Sequence, residues 1–282
     1  MKLRKASAAA VVVALALTAT ACGSGKKNDD SAGGSSDKGG KITVGIKFDQ
    51  PGIGLKTPDG KFTGFDVDVA KYVAKELGYA EDNIVFKETK SADRETAIER
   101  GDVKFIVASY SINDKRLAKV DFAGPYLLAH QDILVRADDN SITKPEDLNK
   151  KKLCSVTGST SATNVKEKLA PKAQLQQLGG YSQCLTGLEN KVLDAVTTDD
   201  SILAGYAAQD AFKGKFKLAG FKMSNENYGI GLKKGDTELK GKIDAALEKM
   251  VQDGSWKKAV EANFGPANYK YEPAPQIGNI VK

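Results

Sequence analysis

From Lys41 onward, short apolar runs alternate with amphipathic stretches, and this alternation narrows the possible folds more than any single motif. Ile42-Thr43-Val44-Gly45-Ile46 reads as a strand. Phe65, Val69, Tyr72, Val73 and Leu77 then recur at helical spacing. Residues 84–86 read as a strand, 93–100 as a helix and 105–108 as a strand. A second series begins at Lys152, with strand 153–156, helix 161–169, strand 174–178, helix 182–190, strand 195–197 and helix 201–208. A strand at 228–232, a helix over 238–253 and a shorter one ending at 264–265 follow, and the tail from Pro266 reads as loop. Strands alternating with helices predict an α/β protein, an open and mostly parallel sheet covered by helices, here in two halves. Ligands of such sheets bind beyond the carboxyl ends of the strands. Lys47, Ser109, Ser159 and Asp199 stand just past such ends, which predicts one cleft between the halves.

The N-terminus sets the compartment. Lys2, Arg4 and Lys5 precede an apolar run from Ala6 to Ala19, and the run ends at Ala19-Thr20-Ala21-Cys22. This reads as a signal peptide over 1–21, too short for a transmembrane span. Two processing routes cut the same bond: lipoprotein processing at Cys22, or plain secretion. Residues 22–40 form a linker that, from Gly23 to Gly40, has no apolar residue larger than alanine, a slack tether with nothing to bury. A tether directly behind a cysteine favours lipid anchoring, which needs two or more acyl chains to be stable. The expected location is extracytoplasmic, with membrane contact through the lipid only.

Cysteine use agrees with export. With Cys22 spent on lipid, Cys154 and Cys184 remain as an even pair for a disulfide in an oxidising compartment. Two cysteines and one histidine, His130, make a poor metal site. Lys and Arg number 42 against 36 Asp and Glu, a net charge of +6 that is scattered rather than gathered in a stripe with aromatics. No nucleic-acid partner is expected.

Two motifs go further. Gly64-Phe65-Asp66-Val67-Asp68-Val69-Ala70 is one. The other is Ser109-Tyr110-Ser111-Ile112-Asn113-Asp114-Lys115-Arg116, followed by Val120-Asp121-Phe122-Ala123-Gly124-Pro125-Tyr126. In this order and spacing they resemble the polar amino-acid-binding proteins of ABC importers, the family-3 solute-binding proteins with the type II periplasmic-binding fold. The likeness runs from Lys41 to Gly265 and is nearest to the glutamate/aspartate binders. Asn113 stands where that family usually has Thr, and Ala123 where it usually has Ser.

The resemblance implies a two-lobed protein, each lobe a mostly parallel sheet flanked by helices. Lobe 1 would comprise 41–130 and 223–282, and lobe 2 would comprise 131–222, with hinge connections near 127–134 and 221–227. It also implies site roles. Arg116 would clamp the ligand α-carboxylate with two N–H donors, joined by Ser159 and Thr160 at a helix start. Asp199, next to Thr198, would take the α-ammonium, and Ser109 and Ser111 would add a carbonyl and a hydroxyl. Lys47 and Arg94 fall where acidic-amino-acid binders place the cations that read a side-chain carboxylate. The implied ligand is L-glutamate or L-aspartate, the implied partners are an ABC permease and its ATPase, and no cofactor is called for.

Each residue also has a plainer reading. Lys47 could be a solvated strand-end lysine, and Arg94 could cap a helix or pair with Asp93. Asp199 or Asp200 could cap the helix at Ser201, and Arg116 could form a surface ion pair with Asp114 or Asp121. Alternative functions are a binder of a neutral polar amino acid such as glutamine, a sensory module, or a cyclohexadienyl-dehydratase-like enzyme on the same fold. No Ser-His-Asp or Cys-His set, Walker A loop, Rossmann fingerprint or metal cluster supports catalysis. A binding protein that does no chemistry is the expected class.

Overall fold

The computed structural model describes residues 40–282. The signal peptide, Cys22 and the tether up to residue 39 lie outside the described residues.

β1 (Ile42–Ile46) is buried along most of its length. A small antiparallel sheet follows, formed by β2 (Asp49–Gln50), β3 (Gly54–Lys56) and β4 (Phe62–Thr63). Strands of two or three residues leave no periodicity, and the sequence does not predict them. α1 (Phe65–Glu76) buries Phe65, Val69 and Val73 on one face. β5 (Ile84–Glu88), α2 (Arg94–Glu99), β6 (Phe105–Ile106) and the single turn α3 (Asp114–Leu117) complete the first series.

β7 (Val120–Arg136) shows that the expected connection near 127–134 is not a loop, because the whole stretch is one strand of 17 residues. Asp121, Pro125, His130, Gln131 and Asp132 gave it a loop-like composition. Pairing overrides that composition: β12 binds the strand up to His130, and β10 binds it from Gln131 onward. Opposite Pro125, which has no N–H to offer, the β12 register shifts between Tyr228 and Ile230.

The second series runs β8 (Lys152–Val156), α4 (Thr160–Asn164), β9 (Gln174–Leu178), α5 (Tyr181–Glu189), β10 (Ala195–Asp199) and α6 (Asp200–Ala207). The helix expected over 161–169 is present but changes type along its length. Beyond Asn164 the chain widens into a π-type turn, closed by the Ala170 N–H on the Val165 carbonyl. β11 (Phe216–Leu218), β12 (Asn225–Lys233), α7 (Thr237–Gln252) and α8 (Ser255–Phe264) end the chain's regular structure.

The main sheet has the order β5-β1-β6-β12-β7-β10-β8-β9, with β11 also on β7. β1 is parallel to β5 and β6, and β8 is parallel to β9 and β10. β12 and β7 run antiparallel through the middle. Two parallel groups thus meet on one antiparallel pair, and their carboxyl ends face the crossing. A disulfide joins Cys154 of β8 to Cys184 of α5.

Candidate functional site

The site is built from four strand ends. β6 ends at a loop in which Ser109 takes the left-handed region, φ 44°, a strained conformation for a residue with a Cβ. Asp66, buried in the first turn of α1, holds that loop: it accepts the Ser109 N–H at 2.7 Å and the Tyr126 hydroxyl at 2.7 Å. Gly64 explains the head of the same motif. Its φ is 122°, and a Cβ there would overlap the Ile53 carbonyl. The remaining apolar positions of the motif, Phe65, Val67, Val69 and Ala70, are core.

Seven expected ligand residues, Arg94, Ser109, Arg116, Ser159, Thr160, Thr198 and Asp199, line one cavity. Ser91, Ser161, Tyr181 and Ile202 line it too, and sequence reasoning assigned them no role. Ser161 follows Thr160 directly, and Ser91 lies three residues before Arg94. Tyr181 and Ile202 stand near the starts of α5 and α6. The free space at the centre is about 10 Å³, the room of a single water. An amino acid enters only if the walls part.

Two expected residues stand behind the wall. Lys47, 5% exposed, donates through Nζ to Ser91 Oγ at 2.8 Å, so it touches the cavity through Ser91. It lines a neighbouring chamber with Asp49, Gln50 and Glu88. Ser111 accepts an Arg116 Nη donor at its carbonyl, 2.7 Å away.

Arg116 is set by its own turn. Asn113 caps α3 by accepting the Arg116 N–H at 3.0 Å, and the guanidinium then reaches across to the Gly158 carbonyl at 3.0 Å. Glu95 lies 3.5 Å from its Nε. It is buried, not part of an exposed ion pair. Gly158 has φ 80°, and a Cβ on it would press on the Ala92 backbone, so the turn before α4 packs directly on the turn before α2. Arg94, 2% exposed, donates to the carbonyls of Ala108 and Ser109 at 2.9 and 3.2 Å, while its Nε has no partner.

Several hydroxyls expected to face a ligand are engaged elsewhere. Ser159 caps α4, accepting the Ala162 N–H at 3.0 Å. Thr160 donates to Glu226 of β12 at 2.9 Å. Asp199 occupies the capping position of α6 without capping it, and instead accepts the Tyr228 hydroxyl at 2.5 Å. Asp200 serves the structure, accepting from the His130 and Ser201 N–H groups and the Tyr269 hydroxyl.

The walls carry opposite charge. Burial, then the neighbouring Arg94, pulls the Lys47 ammonium well below the usual lysine range. The same two causes bring Arg116 down to about 10. Opposite them, burial and then Glu226 push the Asp199 carboxyl well above the usual carboxylate range. Two guanidiniums, Arg94 and Arg116, and one carboxylate, Asp199, line the cavity, with Lys47 behind Ser91, an arrangement that suits a zwitterion with an extra negative group.

Residues 42–266 match the family model of bacterial extracellular solute-binding proteins, family 3. The chain is 47% identical over 236 residues to the glutamate-binding protein GluB of Corynebacterium efficiens, covering 80% of this chain and 79% of that one. It is 38% identical over 218 residues to the ABC transporter glutamine-binding protein GlnH of Bacillus subtilis, covering 77% and 78%. A solved structure of an ancestral arginine-binding protein bound to arginine superposes with a TM-score of 0.75 at 36% identity, covering 80% of this chain and 99% of the other.

Proposed function

We propose, since this chain belongs to the bacterial extracellular solute-binding proteins of family 3, that it binds L-glutamate or L-aspartate between two lobes and delivers it to the permease and ATPase of an ABC importer. The observation that carries the reading is Arg94. Its guanidinium is buried in the cavity wall with an unpartnered Nε, and a buried charged donor without an acceptor is costly unless a ligand supplies one. A side-chain carboxylate meets that need, with Lys47 behind it through Ser91.

The other roles follow from the two walls. Arg116 takes the α-carboxylate, with the Ser109 and Thr160 segments beside it, and Asp199 takes the α-ammonium. The ammonium also restores charge to the Asp199 carboxylate, whose proton affinity burial has raised. Tyr181 and Ile202 flank the carbon chain. The ligand leaves unchanged.

The lobes are 41–130 with 223–282, and 131–222. The change of β7 pairing between His130 and Gln131 supports a hinge there. Ligand contacts to both sides favour the closed form by population shift. The protein acts outside the cytoplasm, held to the membrane by lipid on Cys22. The printed name of the Corynebacterium relative supports glutamate, and the name of the less similar Bacillus relative supplies the competing ligand, glutamine.

Calorimetric titration with glutamate, aspartate, glutamine and asparagine tests the proposal. Glutamate should bind at least about two decades more tightly than glutamine, from a charged hydrogen bond of roughly 3 kcal/mol. Equal affinities for the two would defeat the acidic-ligand reading.

A further inference from the structure

Tyr110 lies between Ser109 and Ser111 in the second motif, fully buried and absent from the cavity wall. Its ring is shared by two cations. The Arg94 guanidinium carbon is 4.0 Å from the ring centroid, and that of Arg116 is 5.0 Å away. Among the described residues one carboxylate, Glu95, forms an ion pair with either guanidinium. Arg116 has Glu95 at its Nε and carbonyls at its two Nη atoms, while Arg94 has only the Ala108 and Ser109 carbonyls. Two guanidiniums so close and so dry repel each other, and an aromatic face offers negative charge density without adding an anion.

The ring itself is firmly placed. Phe122 meets it edge-on at 4.7 Å, and Gly231 leaves it room, because a Cβ there would collide with the ring edge. The hydroxyl is less well served: it is buried without a partner in good hydrogen-bond geometry, and burial first, then the nearby Glu95 carboxylate, make it harder to ionise. Buried tyrosine hydroxyls normally find a partner. The ring, not the hydroxyl, accounts for a tyrosine-sized aromatic here.

We infer that Tyr110 is a positioning residue whose ring holds both Arg94 and Arg116 in place against their repulsion, and thereby sets the preference for a dicarboxylic over a neutral amino acid. The inference rests on the acidic-ligand reading above. Without the ring the guanidiniums splay, and the site must reorder them before a second carboxylate can be read.

The test titrates the exported protein with glutamate and with glutamine in four forms: wild type, Tyr110→Phe, Tyr110→Leu, and pentafluorophenylalanine at position 110. Tyr110→Phe should keep the wild-type affinity ratio, since the ring that faces both guanidiniums is retained. Tyr110→Leu should lower the ratio about tenfold or more, a change that a merely structural residue would not produce because both affinities would then fall alike. Pentafluorophenylalanine keeps the ring's shape and inverts its charge distribution, so it should lower the ratio too. Should Tyr110→Leu fail to fold, the fluorinated ring carries the decision. A wild-type preference retained in both ring-disrupting forms overturns the role of Tyr110 alone, whereas no preference in the wild type overturns the acidic-ligand reading with it.

Discussion

Gly205, inside α6, faces the Pro51 carbonyl so closely that a Cβ built on it would overlap the oxygen. The contact continues on either side. The Tyr206 hydroxyl donates to the Asp49 carbonyl, and Ser182 reaches the Asp49 carboxylate at 3.4 Å. In the proposed division these pairs join lobe 2 to lobe 1, so they exist only when the lobes close. Gly205→Ala should then strike closure while leaving the ligand contacts alone. In a helix interior the change is intrinsically favourable by up to about 1 kcal/mol, so the ligand-free protein should melt no lower. Affinity for every ligand should fall about tenfold or more, the effect of roughly 1.4 kcal/mol lost from the closed state. Unchanged affinity would show that the Gly205–Pro51 contact is not reserved for closure.

The two cavity arginines should separate in their effects. Arg116 ties the Ser111 carbonyl to the Gly158 carbonyl, a bridge between the two series of elements that any bound amino acid would use. Arg116→Met should weaken glutamate and glutamine alike, by two to four decades for roughly 3–5 kcal/mol. Arg94→Met should erase most of the preference between them and leave glutamine nearly as before. Calorimetry on both variants with both ligands reads the difference. Equal loss of glutamate and glutamine on changing Arg94 would remove it from the side-chain pocket.

The disulfide should carry measurable stability. It closes a separation of 30 residues between β8 and α5, worth about 3–4 kcal/mol in the chain-entropy account. Reduction should therefore lower the melting temperature by roughly 10 °C for a domain of this size. Melting curves with and without a thiol reductant check this, and coincident curves would contradict it.

Arg116 was legible in the sequence because a motif fixes its spacing from Ser109, and the structure explains the spacing: Asn113 caps the turn that aims it. Asp199 was legible as a strand end with a carboxylate, although sequence alone could not tell it from Asp200. The hydrogen bonds do, giving Asp200 backbone partners and Asp199 the cavity. Lys47 was placed at the right strand end, but one serine too close to the cavity, because a strand end fixes a backbone and not the path of a long side chain. β7 was hidden because the strands that pair with it, β10 and β12, lie 60 or more residues away along the chain. Tyr110 and Tyr181 gave no signal, since a buried aromatic beside a motif looks the same whether it packs a core or steadies a charge.

Asp66 should leave its mark on the pH dependence of stability. Burial pushes its carboxyl up to about 6, against the pull of the Tyr126 and Ser109 donors, while an unfolded chain has it near about 3.9. Between these values the native protein holds a proton that the unfolded chain has released. Stability from this group is therefore fully present below about pH 4, falls as pH rises toward 6 and is flat above. Two units correspond to about 3 kcal/mol at most. Asp68, Asp132, Asp199 and Asp200 are raised as well and slope the same way, so the wild-type curve alone cannot isolate Asp66. Asp66→Asn can. It removes the titration but accepts only one of the two hydrogen bonds well, because its amide nitrogen must face a donor. The variant should lose stability at every pH, yet fall less steeply than wild type between pH 4 and 6. It should also bind glutamate more weakly, since Ser109 at φ 44° loses the anchor that aims its carbonyl at Arg94. Urea unfolding at pH 4, 5, 6 and 7 measures the two slopes, and identical slopes would mean that Asp66 is not the group that titrates.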